Sequence, residues 1–252
     1  MATSVALITG ASAGLGIDFA RQLSAKGYRL VLVARRKDRL DALAAELGHA
    51  RAVACDLGAS GAVAELMADI KAAGEIVSLL VNNAGFGLGG KFAELDGPRQ
   101  RAMIDLNCGA LTELAHGVLP DMLAKRKGSI LNVASTAAFQ PGPGMAVYFA
   151  TKAFVLSFSE ALHEEVRGKG VTVSALCPGP TATEFGEVAG FGSAGGFAKI
   201  AARSADVVRS GLEGLEQRKA VIIPGLFNKA GAQGHRLLPR SLLRKIAGSL
   251  KL

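Results

Sequence analysis

Seven short runs rich in Val, Leu, Ile and Ala alternate along the chain with helical patterns, and nothing else constrains the fold as strongly. The strand-like runs fall at 5–9, 29–34, 50–55, 78–82, 129–134, 171–175 and 220–223. Helical periodicity fills the intervals at 14–26, 37–47, 61–73, 98–126, 146–169 and 204–217. Strands that are apolar on both faces and separated by helices predict a parallel sheet covered on both sides. The expected class is therefore α/β, a Rossmann-like doubly wound sheet of seven strands. No linker, low-complexity tract or internal repeat interrupts the pattern, so residues 1–252 read as one domain. Two features stand apart: the segment 184–202 and a basic extension over 225–252.

Composition agrees with this and excludes other classes. Half the residues are apolar and a fifth are charged, which is a globular balance. No apolar run approaches the roughly 18 residues of a membrane span. The first strand begins so early that a signal peptide has no room, and the expected compartment is the cytoplasm. Cys55, Cys108 and Cys177 are far apart in apolar stretches, which predicts reduced core thiols and no metal site. The formal charge of +8 is not spread evenly. From 217 to 252 there are eight Lys and Arg side chains and no acid, while the preceding residues hold 21 basic and 21 acidic groups. A neutral body with a basic tail containing one aromatic, Phe227, does not read as a nucleic-acid binder.

The first strand runs into "TGASAGLG", 9–16, and then into a helix. Gly10, Gly14 and Gly16 let the backbone turn sharply and approach a diphosphate, and the N–H groups at the helix start favour an anion. Ser12, Ala13 and Leu15 complete this predicted cradle. The end of the second strand normally tells NAD from NADP, because an acid there binds the ribose 2′-hydroxyl. Here Ala34 is followed by Arg35 and Arg36, and guanidiniums suit a 2′-phosphate. The expected coenzyme is NADP(H), with Arg35 the main contact and Arg36 secondary.

Tyr148 stands four positions before Lys152 in "YFATKAF", and the chain has only one other tyrosine, Tyr28. On a helix these two side chains share a face, with Cβ atoms about 5–6 Å apart. A cation about 5 Å from a phenol, at an effective dielectric near 20, contributes roughly 3 kcal/mol. That lowers a phenol pKa by about two from its usual value near 10. The pair is a candidate acid–base device for a carbonyl or alcohol. Tyr28 lacks such a partner and reads as structural. His49, His116, His163 and His235 are scattered, with no nucleophile set beside any of them.

Taken in order, "TGASAGLG" (9–16), "CDL" (55–57), "NNAG" (82–85), "DLN" ending at Asn107, Ser135, "YFATK" (148–152) and "PGPTAT" (178–183) resemble the short-chain dehydrogenase/reductase family, in its compact branch. The resemblance implies three helices on each side of the sheet. It implies that Asp56 and Leu57 hold the adenine and that Asn83, Ala84 and Gly85 line the adenosine ribose, with Asn82 stabilising its strand end. Pro178, Gly179, Thr181 and Thr183 would position the nicotinamide amide and diphosphate. Ser135 would bind the substrate oxygen, Lys152 the nicotinamide ribose, and Asn107 a water linking Lys152 to solvent. Dimers or tetramers through the helices at 98–126 and 146–169 are implied as well.

For the substrate, Ser135, Phe139, Met145, Tyr148 and Phe185 are the candidate contacts, with Pro141, Phe149, Phe191 and Phe197 nearby in sequence. They suggest an apolar or aromatic carbonyl compound or secondary alcohol. The glycine-rich stretch 185–197 reads either as a loose connection or as a mobile lid over an apolar ligand. In the tail, Leu242, Leu243, Ile246 and Leu250 fall near one helical face, with Arg240, Arg244 and Lys245 around it. Packing on the protein is favoured there over contact with an anionic membrane. The expected function is an NADPH-dependent carbonyl reductase or alcohol dehydrogenase. A catalytically silent NADP(H)-binding sensor is the alternative, and a sugar-nucleotide epimerase is disfavoured because such enzymes carry a longer C-terminal substrate region.

Overall fold

The computed structural model describes residues 4–189, 201–234 and 239–249. Seven strands, β1 (Val5–Thr9), β2 (Arg29–Ala34), β3 (Ala50–Ala54), β4 (Val77–Asn82), β5 (Gly128–Val133), β6 (Val171–Leu176) and β7 (Val221–Ile222), form one sheet in the order β3-β2-β1-β4-β5-β6-β7. Every pairing is parallel. Side chains alternate along each strand, so each strand feeds two cores. Ala6 and Ile8 join Leu30, Leu32, Leu79 and Val81 on one face, while Leu7 joins Val31, Val33 and Leu80 on the other.

The first face is covered by α1 (Leu15–Ala25), α2 (Lys37–Leu47) and α8 (Ser204–Glu216). The second is covered by α3 (Ala62–Ala72), α5 (Leu111–Ala124) and α6 (Ala146–Glu165). The expected three-on-three arrangement is therefore present. One register shift separates Val5↔Val77 from Ala6↔Leu79. Ser78 is the extra residue, and its hydroxyl donates to the Val5 carbonyl at 3.1 Å.

Progression along the sheet reverses between β1 and β4, so their carboxyl ends open a crevice at the switch point. Buried side chains fix the strand next to it. Asn82 Nδ2 donates to Asn132 Oδ1 at 2.9 Å and to the Leu111 carbonyl at 3.2 Å. Asn132 Nδ2 donates in turn to Ser159 Oγ at 2.9 Å. This relay ties β4 to β5, α5 and α6.

The structure departs from the sequence reading in three places. The helix expected over 98–126 is α4 (Gly97–Ile104), a π-helical segment Asp105–Ala110, and α5. Asp96 caps its start by accepting from Arg99 N at 2.7 Å, and Pro98 sits in the first turn where its missing N–H costs nothing. Apolar spacing gave no sign of the wider turn, because the same faces stay buried on either side of it. The last strand is only two residues long. The tail forms α9 (Leu226–Gly234) and α10 (Arg240–Ser249), and α10 buries Leu243 and Ala247 while Leu242 and Ile246 stay exposed. A Cβ built on its Gly248 would lie 3.7 Å from Pro143, so α10 packs on the loop before α6. Of the segment expected as a lid, 190–200, including Phe191 and Phe197, lies outside the described residues.

Replacing Asn82 by Ala leaves the Asn132 and Leu111 oxygens without their buried donor. The expected loss is about 2–4 kcal/mol of folding stability, read as a lower urea midpoint at unchanged slope.

Candidate active site

The turn between β1 and α1 is built of glycines for reasons of space. Gly10 has φ +65° and a Cβ there would stand 2.9 Å from the Ala84 backbone. Gly14 has φ +51°, and its Cβ would stand 3.0 Å from the Thr183 side chain. At Gly16 a Cβ would meet the Gly10 carbonyl oxygen at 2.1 Å, so only glycine lets α1 start against the turn. Ser12 is buried in this turn. No side chain caps the first turn of α1, where Gly16 N and Ile17 N donate to the Ala13 and Gly14 carbonyls at 3.1 and 3.2 Å. A cradle that any Cβ would fill, at a bare helix N-terminus, fits a dinucleotide diphosphate.

Across the crevice, Thr9 Oγ1 accepts from the N–H groups of Asn83 and Ala84 at 3.0 and 2.9 Å. Asn83 Nδ2 returns bonds to the Thr9 and Gly10 carbonyls at 2.9 and 3.2 Å. A Cβ on Gly85 would stand 2.9 Å from Asn107 Oδ1 and 3.6 Å from Lys152 Nζ, so this loop lies directly over both. Asp56 accepts from Gly58 N at 3.2 Å and is exposed, whereas Leu57 is buried beside it. Arg36, not Arg35, reaches the turn. Its Nε and Nη2 donate to Ser12 Oγ and the Ser12 carbonyl at 3.3 and 3.4 Å, while Arg35 is exposed.

Tyr148 lies in the first turn of α6 and Lys152 one turn on; both are buried. Lys152 Nζ sits 5.8 Å from the Tyr148 ring centroid and donates to the Val133 carbonyl at 2.8 Å. Burial pushes the phenol up to about 12, opposed by its hydrogen bond with Ser135. Burial likewise draws the Lys152 ammonium down to about 8, opposed by the nearby Cys108 and Cys177 thiols. This corrects the expectation that the lysine by itself makes the phenol acidic. Desolvation dominates both shifts, because the phenolate and the ammonium are charged forms that lose water here.

Asn107 sits in the π-helical segment with its amide almost fully used. Nδ2 donates to the Phe86 carbonyl at 3.0 Å and to Thr151 Oγ1 at 3.1 Å, while Oδ1 accepts from Phe86 N at 3.1 Å. Thr151 Oγ1 donates to the Tyr148 carbonyl at 2.7 Å. Thr151 was missed in the sequence reading, although it lies inside the same "YFATK" run. Ser135 stands at the end of β5, where its Oγ accepts from Ala137 N at 3.1 Å. The Pro178 carbonyl accepts from Thr136 N at 2.8 Å, and Thr181 Oγ1 donates to the Gly179 carbonyl at 2.9 Å. A bridge from Thr181 to Ala202 pins this strand-like stretch.

Of the substrate candidates, Met145, Tyr148 and Phe185 share one apolar cluster with Leu88, Met103 and Ala189. Phe139 does not join them. It ends the 3₁₀ turn Thr136–Phe139 and packs with Leu111, Val155 and Cys177, because i and i+3 of such a turn face one way while Ala137 faces the other. The sequence reading overlooked Gly87, whose Cβ would lie 2.8, 3.1 and 3.2 Å from Phe185, Met145 and Tyr148 side-chain atoms. Its signal was the glycine run directly after "NNAG". Cys108 and Cys177 are thiols that burial pushes up to about 11 and about 12. No group of three metal-ligating side chains occurs among the described residues.

A parallel sheet with a glycine cradle at its switch point and a buried Tyr–Lys pair beside it defines a nucleotide-dependent oxidoreductase of the Rossmann type. The chain matches the short chain dehydrogenase family over residues 4–190. It is 39% identical over 181 residues to a serine 3-dehydrogenase of Agrobacterium fabrum, covering 71% of this chain and 72% of the relative. A solved short-chain dehydrogenase from Sphingobium yanoikuyae, in complex with NADPH, superposes with a TM-score of 0.85 at 34% identity, covering 96% and 95% of the two chains. A bulky-bulky ketone specific alcohol dehydrogenase from Comamonas testosteroni superposes with a TM-score of 0.79 at 31% identity, covering 94% of each. The chain belongs to the short-chain dehydrogenase/reductase family.

Lys152 gives the site a testable stability signature. Its folded pKa lies below its unfolded value, so between about pH 8 and 10.5 the unfolded chain binds more protons and stability from this group rises with pH. Measured against Lys152→Met, which lacks the titration, the wild type should gain about 2 kcal/mol between pH 7 and 10 in chemical denaturation. A flat difference would show that the ammonium is not desolvated.

Proposed function

We propose that this protein interconverts ketones and secondary alcohols of apolar or aromatic substrates, with NADP(H) as coenzyme. The observation that carries the reading is the buried Tyr148–Lys152 pair, with Lys152 Nζ 5.8 Å from the Tyr148 ring, beside a glycine cradle. The relatives support the same class: one is an NADP-dependent 3-hydroxy acid dehydrogenase of Salmonella typhi and others are the NADPH complex and the bulky-ketone enzyme above.

When bound, the reduced nicotinamide supplies the hydride. The chain supplies everything else. Gly10, Ser12, Ala13, Gly14, Leu15 and Gly16 would hold the diphosphate end, and Arg36 with Arg35 the 2′-phosphate. Asp56 and Leu57 would hold the adenine, Asn83, Ala84 and Gly85 the adenosine ribose. Pro178, Gly179, Thr181 and Thr183 would hold the nicotinamide end. Tyr148 keeps its proton at every ordinary pH and delivers it from Oη to the developing alkoxide, which Ser135 Oγ orients. Lys152 remains largely protonated at neutral pH and stabilises the phenolate left behind. The reverse reaction needs a deprotonated Tyr148, so alcohol oxidation rises with pH while ketone reduction does not. Asn107 fixes the Phe86 backbone and Thr151, and any water it holds for the Lys152 relay is bound by its main chain or the one remaining Oδ1 lone pair.

The apolar cluster of Leu88, Met103, Met145 and Phe185 around Tyr148 favours an apolar group beside the carbonyl. The outer face of α4–α6 exposes Ile104 and Phe154, and Phe154 stacks on Phe158 at 5.8 Å and 9°. This face is the proposed homo-oligomer surface. Among the described residues no helix is long and apolar enough to cross a membrane.

A panel of ketones and secondary alcohols followed by NADPH absorbance tests the reading, with bulky apolar ketones expected to be the best substrates and NADPH to outperform NADH. Tyr148→Phe should lower kcat at least about 10³-fold while NADPH affinity changes less than about three-fold. Turnover at the wild-type rate in that variant would rule out Tyr148 as proton donor.

A further inference from the structure

Residues 183–185 touch three parts of the site in succession. Thr183 packs against Gly14 of the cradle. The Glu184 carboxylate spans two guanidiniums, accepting from Arg36 Nη1 at 3.1 Å through Oε2 and from Arg39 Nη1 at 2.6 Å through Oε1. The Phe185 ring lies 5.2 Å from the Tyr148 ring, inclined at 46°.

Arg36 is the residue at the start of α2, making no side-chain cap bond, and Arg39 follows within the first turn. Like charges three apart repel, and a helix N-terminus disfavours cations. Glu184 offsets both, one oxygen to each arginine. Its two hydrogen bonds hold the carboxyl below the usual range, so it is ionised at neutral pH. A guanidinium has five N–H donors. Arg36 spends three, two on Ser12 and one on Glu184, and Arg39 spends one on Glu184. Donors therefore remain on both for a second anion without displacing the carboxylate. Arg35 adds a third guanidinium next to them in sequence, which suits a phosphate monoester dianion.

We propose that Glu184 is a positioning residue for the coenzyme's 2′-phosphate, holding Arg36 and Arg39 side by side next to Ser12 while fixing Phe185 against Tyr148. The inference rests on the NADP(H) reading above. It adds Arg39 to the phosphate site and makes one peptide segment answer to both coenzyme and substrate. Repulsion between carboxylate and phosphate acts in the opposite sense, but salt separates the two effects. At about 1 M the screening length is about 3 Å, so repulsion beyond contact distance fades most, while the Glu184 bonds at 2.6 and 3.1 Å are screened least.

The test is equilibrium binding of NADPH and NADH by calorimetry, at low and at about 1 M salt, with Glu184→Gln, Glu184→Asp and Arg36→Ala beside the wild type. In high salt Glu184→Gln should weaken NADPH about 3- to 10-fold and NADH less than about two-fold, with Glu184→Asp recovering part of the loss. The ketone KM measured with NADPH should rise in Glu184→Gln more than kcat falls. NADPH bound equally or more tightly by Glu184→Gln in high salt overturns the proposal. If Arg36→Ala also binds NADPH as the wild type does, the assignment of the arginines to the 2′-phosphate has failed as well. If Arg36→Ala weakens NADPH and Glu184→Gln does not, only the role of Glu184 is lost.

Discussion

The crevice of this protein depends on one buried hydroxyl. Thr9, at the last residue of β1, accepts the N–H groups of Asn83 and Ala84 and donates to the Val81 carbonyl at 3.4 Å. β1 and β4 are neighbours at the point where the sheet reverses its progression, and beyond it their chains leave on opposite errands. The Thr9 bonds set how far apart the two ends splay. Everything else is placed from there: the glycine turn on one side, and on the other the loop that carries Gly85 over Asn107 and Lys152.

The electrostatics of the Tyr148–Lys152 pair follow from depth rather than from spacing. At the surface, a cation one helical turn from a phenol would lower its pKa; in this buried site both lose hydration, and that loss is the largest cause of each shift. The result is a phenol that holds its proton and a lysine near the edge of deprotonation. In the proposed reaction such a pair gives a proton to a nascent alkoxide, and it relies on added positive charge in the site to take one back. The carbonyl of Val133 supplies the polar contact that makes the buried ammonium tolerable.

The apolar cluster around Tyr148 is assembled from segments far apart in sequence. Gly89 N donates to the Ala189 carbonyl at 2.9 Å and Gly90 N to the Gly144 carbonyl at 2.8 Å, which joins the loop after β4 to the stretch after β6 and to the entry of α6. Met145, Tyr148 and Phe185 meet around Gly87 because those bonds bring their backbones together, with a glycine where any side chain would fill the space. α10 packs beside this region at Pro143. The basic charge of the tail had said nothing about that contact.

The seven strands, the glycine turn after β1 and the Tyr148–Lys152 spacing were legible in the sequence, because each is encoded locally. Apolar runs, glycine spacing and a four-residue interval are properties of neighbouring residues, and the backbone converts them directly into strands, turns and a shared helix face. Tertiary structure alone decided the rest. It turned Phe139 away from the site, put Arg36 rather than Arg35 on Ser12, opened a π-helical turn around Asn107, and joined Glu184 to two arginines more than 140 residues before it. It also reversed the expected pKa of the phenol. Burial and long-range contact govern these outcomes, and both are sums over residues that come together only when the sheet closes.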